Sequence, residues 1–249
     1  MALKQERNMF EGLDDIDWQR FGATHIAVGM TTQEIPVCVR NMLHPDDEER
    51  EYAIACLLGE GQHLGMIGKA TPSIIPFILE VLADSDYEQR GYLIMGFALM
   101  LESVFEWKSF EFIRLELQVY DEIRKGYPIY KQLINDENSY ARMYAVKVFG
   151  NMQDHKLDVL STLLRRLYIE TSDDVRIEII EAMPYLYINT PYLPDMNQHK
   201  QAEEVIVSLF HFVKEKGTHA EQVQFVKSWK NSHLHLTIEG LNSFIQLHS

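Results

Sequence analysis

The stretch GEGQHLGMIGKATP, residues 59–72, carries four glycines in ten positions, followed by Lys69 and Thr71. Glycines ending in Gly-Lys and a hydroxyl residue are what a phosphate-cradling loop requires, so nucleotide chemistry is the first possibility to test. The spacing rejects it. Gly68-Lys69 is followed by Ala70, and His63 stands where the first glycine of such a loop belongs. A dinucleotide fingerprint starting at Gly59 and Gly61 needs its third glycine at position 64, which is Leu64. The stretch also follows an amphipathic helical segment rather than a strand. It therefore reads as a loop between two structural units, with Thr71 as an N-cap and Pro72 early in the next helix. His63 either hydrogen-bonds backbone across that loop or lies at an exposed rim and touches a partner.

Other reactive combinations are equally incomplete. His233 and His235 form a His-x-His pair, but a metal site needs three or four converging ligands, and neither a nearby cysteine nor a His-Glu-x-x-His helix supplies them. No Gly-x-Ser-x-Gly elbow is present. The expectation is no catalysis, no metal and no cofactor. Cys38 and Cys56 lie in apolar helical contexts and read as reduced core residues. Arg50, Arg90, Arg142 and Arg176 form either an anion-binding row or, the preferred reading, ties to Asp or Asn of a neighbouring turn. Trp18 and Phe21 read as plugs of the N-terminal core.

Charge points outward to a partner. The 249 residues hold 23 Lys+Arg and 37 Asp+Glu, a net charge of −14. Such a surface repels nucleic acid and anionic membrane, and it suits a basic protein. Carboxylates cluster at Glu11, Asp14, Asp15 and Asp17, at Asp46–Glu49 with Glu51, and at Glu170, Asp173, Asp174, Glu178 and Glu181. They serve either solubility and helix N-terminal charge or an acidic ridge that steers a basic partner. The candidate partner contacts are His63, Asp46, Asp47, Glu48, Glu49, Asp173, Asp174 and Glu178. No secretory signal opens the chain, and its longest strongly apolar run, Tyr92 to Leu101, is short of the ~20 residues of a membrane span, so a cytoplasmic protein is expected.

The elements that must position these residues repeat. Aligned on Arg50, Arg90, Arg142 and Arg176, the residues four before are Asp46, Asp86, Asn138 and Ser172, all able to cap a helix. Four after stand Ile54, Ile94, Val146 and Ile180, and seven after stand Leu57, Phe97, Phe149 and Met183, which share one helix face. Pro36, Pro76 and Pro128 each lie fourteen residues before their arginine and predict the first turn of a preceding helix. Thr31 with Glu34 predicts a capping box there. Each unit is thus helix, short turn, helix. The arginine spacings are 40, 52 and 34. The long one calls for an insertion, Glu106 to Gln118, whose alternating apolar residues permit a short strand and read as an irregular extension. Residues 201–248 predict further amphipathic helices as a divergent capping pair.

The segments DDEEREYAIACL, DYEQRGYLIMGFAL, NSYARMYAVKVFGNM and SDDVRIEIIEAM resemble HEAT repeats of the Asp-x-x-x-Arg…Ala type. Trp18, Phe21 and Gly22, then His63-Leu64-Gly65 and Ala70-Thr71-Pro72, resemble the start and loop of a group of bacterial HEAT-repeat (PBS-lyase-like, armadillo-type) proteins. The resemblance implies an all-α, right-handed α-α superhelix of about four to five helix pairs. It divides the chain into a tail at 1–12 and one solenoid domain at 13–249, with recognisable repeats at 13–184 and a divergent cap at 185–249. It implies non-enzymatic protein binding, such as an immunity-type protein covering a basic toxin domain. A bilin-lyase-like enzyme subunit or assembly factor, or a generic scaffold, is the alternative.

Overall fold

The computed structural model describes residues 9–22, 31–58, 67–104, 110–188, 196–231 and 240–248. Among them every regular element is helical and no strand occurs. The helices are α1 (Ile35–Asn41), α2 (Asp47–Leu58), α3 (Thr71–Leu82), α4 (Arg90–Val104), α5 (Phe110–Arg124), α6 (Tyr127–Leu133), α7 (Ser139–Phe149), α8 (Lys156–Ile169), α9 (Asp173–Ile188), α10 (Met196–Lys216), α11 (His219–Asn231) and α12 (Leu241–Leu247), with short 3-10 turns at Leu13–Asp15, Trp18–Phe21 and Gln153–His155.

Local chemistry accounts for most helix starts. The Asp46 carboxylate accepts the Glu48 and Glu49 amides at 3.0 and 3.3 Å, and Asn138 accepts the Tyr140 amide at 2.9 Å, so both cap as expected. Pro36 and Pro128 are each the second residue of their helix, where the missing N–H costs nothing. Glu34 accepts the Thr31 amide at 2.7 Å and the Thr31 hydroxyl at 2.8 Å, closing the turn that leads into α1. In the second unit the proline reading shifts. Pro72 holds the second position of α3, and Pro76 sits inside that helix, one turn further along, close enough to the start that only one backbone hydrogen bond is lost. Thr71 is not the N-cap; it is the first helical residue, and its hydroxyl accepts the Gly68 amide at 2.9 Å. Asp86 does not cap α4 either, because that helix begins at Arg90 itself.

The chain forms two compact units, residues 1–129 and 130–249. In the first, α1, α3 and α5 pack successively side by side, while α2 packs on both α1 and α4. First helices thus neighbour first helices, and second helices neighbour second helices. From Phe110 onward the insertion of the long spacing is helical rather than strand or irregular, its residues 106–109 lying outside the described ones: α5 takes third place in the first-helix layer, and the short α6 follows it. Its buried residues Glu116, Val119 and Ile123 keep helical spacing, and Leu117, one of the alternating apolar residues, is exposed. Gly96 brings α4 close to α2; a Cβ there would lie 2.4 Å from Leu58 Cδ1. Within the 1–12 stretch, the Phe10 ring meets Phe77 edge-on at 6.2 Å, and its amide donates to Glu80 at 2.8 Å. Trp18 is buried, as expected of a plug, and its indole donates to the Leu13 carbonyl at 3.0 Å.

In the second unit the same order recurs. α7, α9 and α11 lie side by side, and α10 packs on α8. α10 packs on α11, and α12 joins them, with Phe244 set 5.6 Å from Phe210 and 6.3 Å from Phe225. Ile54, Phe97, Val146, Phe149, Ile180 and Met183, all at the aligned positions, are buried.

Candidate functional site

The aligned arginines have a common geometry. Arg50 Nη1 donates to the carbonyls six and five residues before it, His44 and Pro45, at 2.7 and 3.1 Å. Arg142 Nη1 does the same to Asp136 and Glu137 at 2.8 and 2.9 Å. Arg176 Nη1 reaches Glu170, six before it, at 3.4 Å. Each guanidinium therefore closes its own interhelical turn by satisfying carbonyls at a helix end. Arg90 differs, donating through Nε to Tyr87 at 3.2 Å, because α4 starts at the arginine rather than three residues earlier.

In the second unit the same guanidiniums also tie one helix pair to the next. Arg142 Nε and Nη2 grip Glu170 at 2.9 and 2.8 Å. Arg166 joins through Nε at 2.8 Å, and the Thr171 and Ser172 amides donate at 2.9 and 2.8 Å. Glu170 is fully buried. Burial pushes its carboxyl up, but hydrogen bonds from Arg142, the Ser172 amide and Arg166 outweigh this and hold it at about 2. Arg176 pairs with buried Glu221 through Nε and Nη2. Glu221 also closes a capping box with Thr218 at the start of α11. The partners are glutamates, not the Asp or Asn anticipated from the alignment. In the first unit the corresponding tie is the Tyr87 hydroxyl donating to the Met42 carbonyl at 2.8 Å. The arginines thus hold the fold rather than offer an anion site.

The sequence matches no protein-family model and no curated protein. The HEAT likeness therefore remains a resemblance carried by the repeat positions.

Of the candidate contacts, Asp46, Asp47, Glu48 and Glu49 lie together at the exposed start of α2. Asp46 is spent on capping and Asp47 on Arg50. Asp173 and Asp174 are exposed in the first turn of α9, while Glu178 is half-buried and 3.7 Å from Lys147. These two clusters belong to different units. His63, His233 and His235 lie outside the described residues. Among the described residues, no group of three or more His, Cys, Asp or Glu is placed to hold a metal, and no helix is long and apolar enough to cross a membrane.

One feature went unread in the sequence. Two residues after the arginine stand Tyr52, Tyr92 and Tyr144, with Glu178 in the fourth unit. Tyr52 is 61% exposed, and Tyr92 and Tyr144 are half-buried. In the first unit exposed Tyr52 lies one helical turn from exposed Glu48, on the same face of α2. Each of α2 and α4 contains one basic residue, its opening arginine, which turns back onto its own turn. The alignment that found the arginines held this signal, but a tyrosine at a helix surface is indistinguishable from a core tyrosine until the face is known.

Proposed function

We propose that this chain is a non-enzymatic, HEAT-like protein-binding module that uses exposed Tyr52 and the carboxylates at the start of α2 to hold a basic protein domain. The supporting observation is Tyr52, 61% exposed and one helical turn from exposed Glu48, on a helix whose one arginine is withdrawn into its own turn. Tyrosine adds rigid contact area and attracts guanidinium and ammonium groups, while the carboxylates accelerate encounter with a basic partner. The like-with-like layering inside each unit supports a solenoid of stacked pairs. An immunity-type role, covering a basic toxin domain, fits the −14 charge and the resemblance. Co-expression with the product of an adjacent gene tests it. The two proteins are expected to co-purify and the toxic product to be tolerated; neither co-purification nor rescue would sink the reading.

A further inference from the structure

We infer that α7 and α9 of the second unit form a docking surface for an arginine-bearing segment of another protein, with Lys147 as a built-in stand-in for the incoming cation.

The two helices pack side by side. On α7, Tyr140, Tyr144 and Lys147 recur at helical spacing; on α9, Asp174, Glu178, Glu181 and Tyr185 do the same, so each set lies on one helix face. Lys147 joins the two faces, its ammonium 3.7 Å from the Glu178 carboxylate. The surface is open to solvent. Tyr140 is 43% and Tyr185 42% exposed, Asp174 and Glu181 are exposed, and Tyr144, Lys147 and Glu178 are half-buried. The Tyr140 and Tyr144 rings meet edge to face, with centroids 4.7 Å apart, a contact that orders both before any partner binds.

The cation already present shows which chemistry the surface takes. Lys147 Nζ lies 5.9 Å from the centre of the Tyr144 ring while it faces Glu178. Both contacts are long: attraction to a ring fades near ~6 Å, and a charge-assisted hydrogen bond to a carboxylate is about 2.7–2.9 Å. A guanidinium makes the same two contacts better, because its plane stacks on a tyrosine while its fork bonds a carboxylate. The arginines of these two helices are turned elsewhere, Arg142 to Glu170 and Arg176 to Glu221. The surface therefore sets the carboxylates of Asp174, Glu178 and Glu181 against the single ammonium of Lys147. That imbalance attracts a basic segment and repels an acidic one, and an apolar segment would strip water from the carboxylates without pairing them. The surface is separate from Tyr52, which belongs to the other unit.

The probe is an acetylated and amidated peptide of alternating arginine and glycine, titrated calorimetrically into the full-length chain at near-physiological salt. Lys147→Met is expected to bind it about three- to fivefold more tightly, because the competing cation is gone; a misfolded variant would not gain affinity. Tyr144→Leu and Tyr185→Leu, which leave the charge unchanged, are each expected to weaken binding by about the same factor. Replacing the peptide's arginines with lysines is expected to weaken it on the parent chain. Equal affinity of the parent, Lys147→Met and Tyr185→Leu overturns the proposal, since binding would then be general attraction to an acidic chain. Loss of binding in Tyr52→Ala with none in Tyr144→Leu also overturns it, and leaves the reading of α2 standing.

Discussion

Arg142 and Glu170 face each other in a two-pronged ion pair, Nε to Oε2 at 2.9 Å and Nη2 to Oε1 at 2.8 Å, with the arginine side chain 8% exposed and the glutamate wholly buried. A second guanidinium, Arg166, lies 2.7 Å from the same carboxylate. Removing Glu170 would leave a buried and a half-buried guanidinium without their shared carboxylate.

The first prediction follows from that excess. Glu170→Ala is expected to destabilise the protein by about 3–5 kcal/mol, the range for breaking a buried pair. A chemical denaturation series that places the variant within 1 kcal/mol of the parent, on the order of an exposed substitution, would refute the assignment of Glu170 as the node of this unit.

The same carboxylate predicts acid sensitivity. Its folded value of about 2 lies below the unfolded value of about 4.3. A depressed carboxyl stabilises the fold fully above the unfolded value, and that contribution is lost as pH falls toward about 2. It amounts to about 3 kcal/mol. The difference in stability between the parent and Glu170→Gln is therefore expected to shrink steadily below about pH 4.5, as read from urea midpoints at each pH.

Lys156 predicts a second rise of stability with pH, on the alkaline side. This buried lysine donates to the Tyr187 carbonyl at the end of α9 and lies 4.7 Å from the centre of the Tyr187 ring. Burial lowers it to about 8. The folded state then penalises the charged form, fully below about pH 8, and the penalty disappears as pH rises to the unfolded value near 10.4. Relative to Lys156→Met, which carries no charge, the parent is expected to gain about 3 kcal/mol across that interval. A pH-independent difference between the two would contradict a buried, discharging lysine.

Gly96 tests the packing of α4 on α2. Gly96→Val is expected to cost about 1–3 kcal/mol, because a Cβ there would meet the buried Leu58 side chain at 2.4 Å. Combined with Leu58→Ala, the cost is expected to be less than the sum of the single changes, since the smaller residue removes the collision. Strict additivity in thermal melts would show that the two side chains do not meet.

The proposed face separates binding from stability. Tyr52→Ala and Glu51→Lys are both exposed changes and are expected to alter stability by no more than about 0.5 kcal/mol. Glu51→Lys is expected to slow association with a basic partner and to weaken its salt dependence, whereas Tyr52→Ala is expected chiefly to speed dissociation. Biosensor kinetics at two ionic strengths distinguish the two effects.

What the sequence by itself determined was everything set within a turn or two of helix. The caps at Asp46 and Asn138, the early prolines at Pro36 and Pro128, and the buried stripe of Ile54, Phe97, Val146 and Met183 follow from spacing alone, because their partners are a few residues away. The helical α5 was obscured by alternating apolar residues, which fit a strand as well as a helix until packing exposes Leu117 and buries Val119. Tertiary structure alone decided which groups meet. Glu170 is 28 positions from Arg142, and Glu221 is 45 from Arg176; many other carboxylates in this acidic chain were equally eligible by sequence. Helix stacking selected these, and it set Tyr52 at the surface, because contacts between helices depend on the rotation and height at which each one docks.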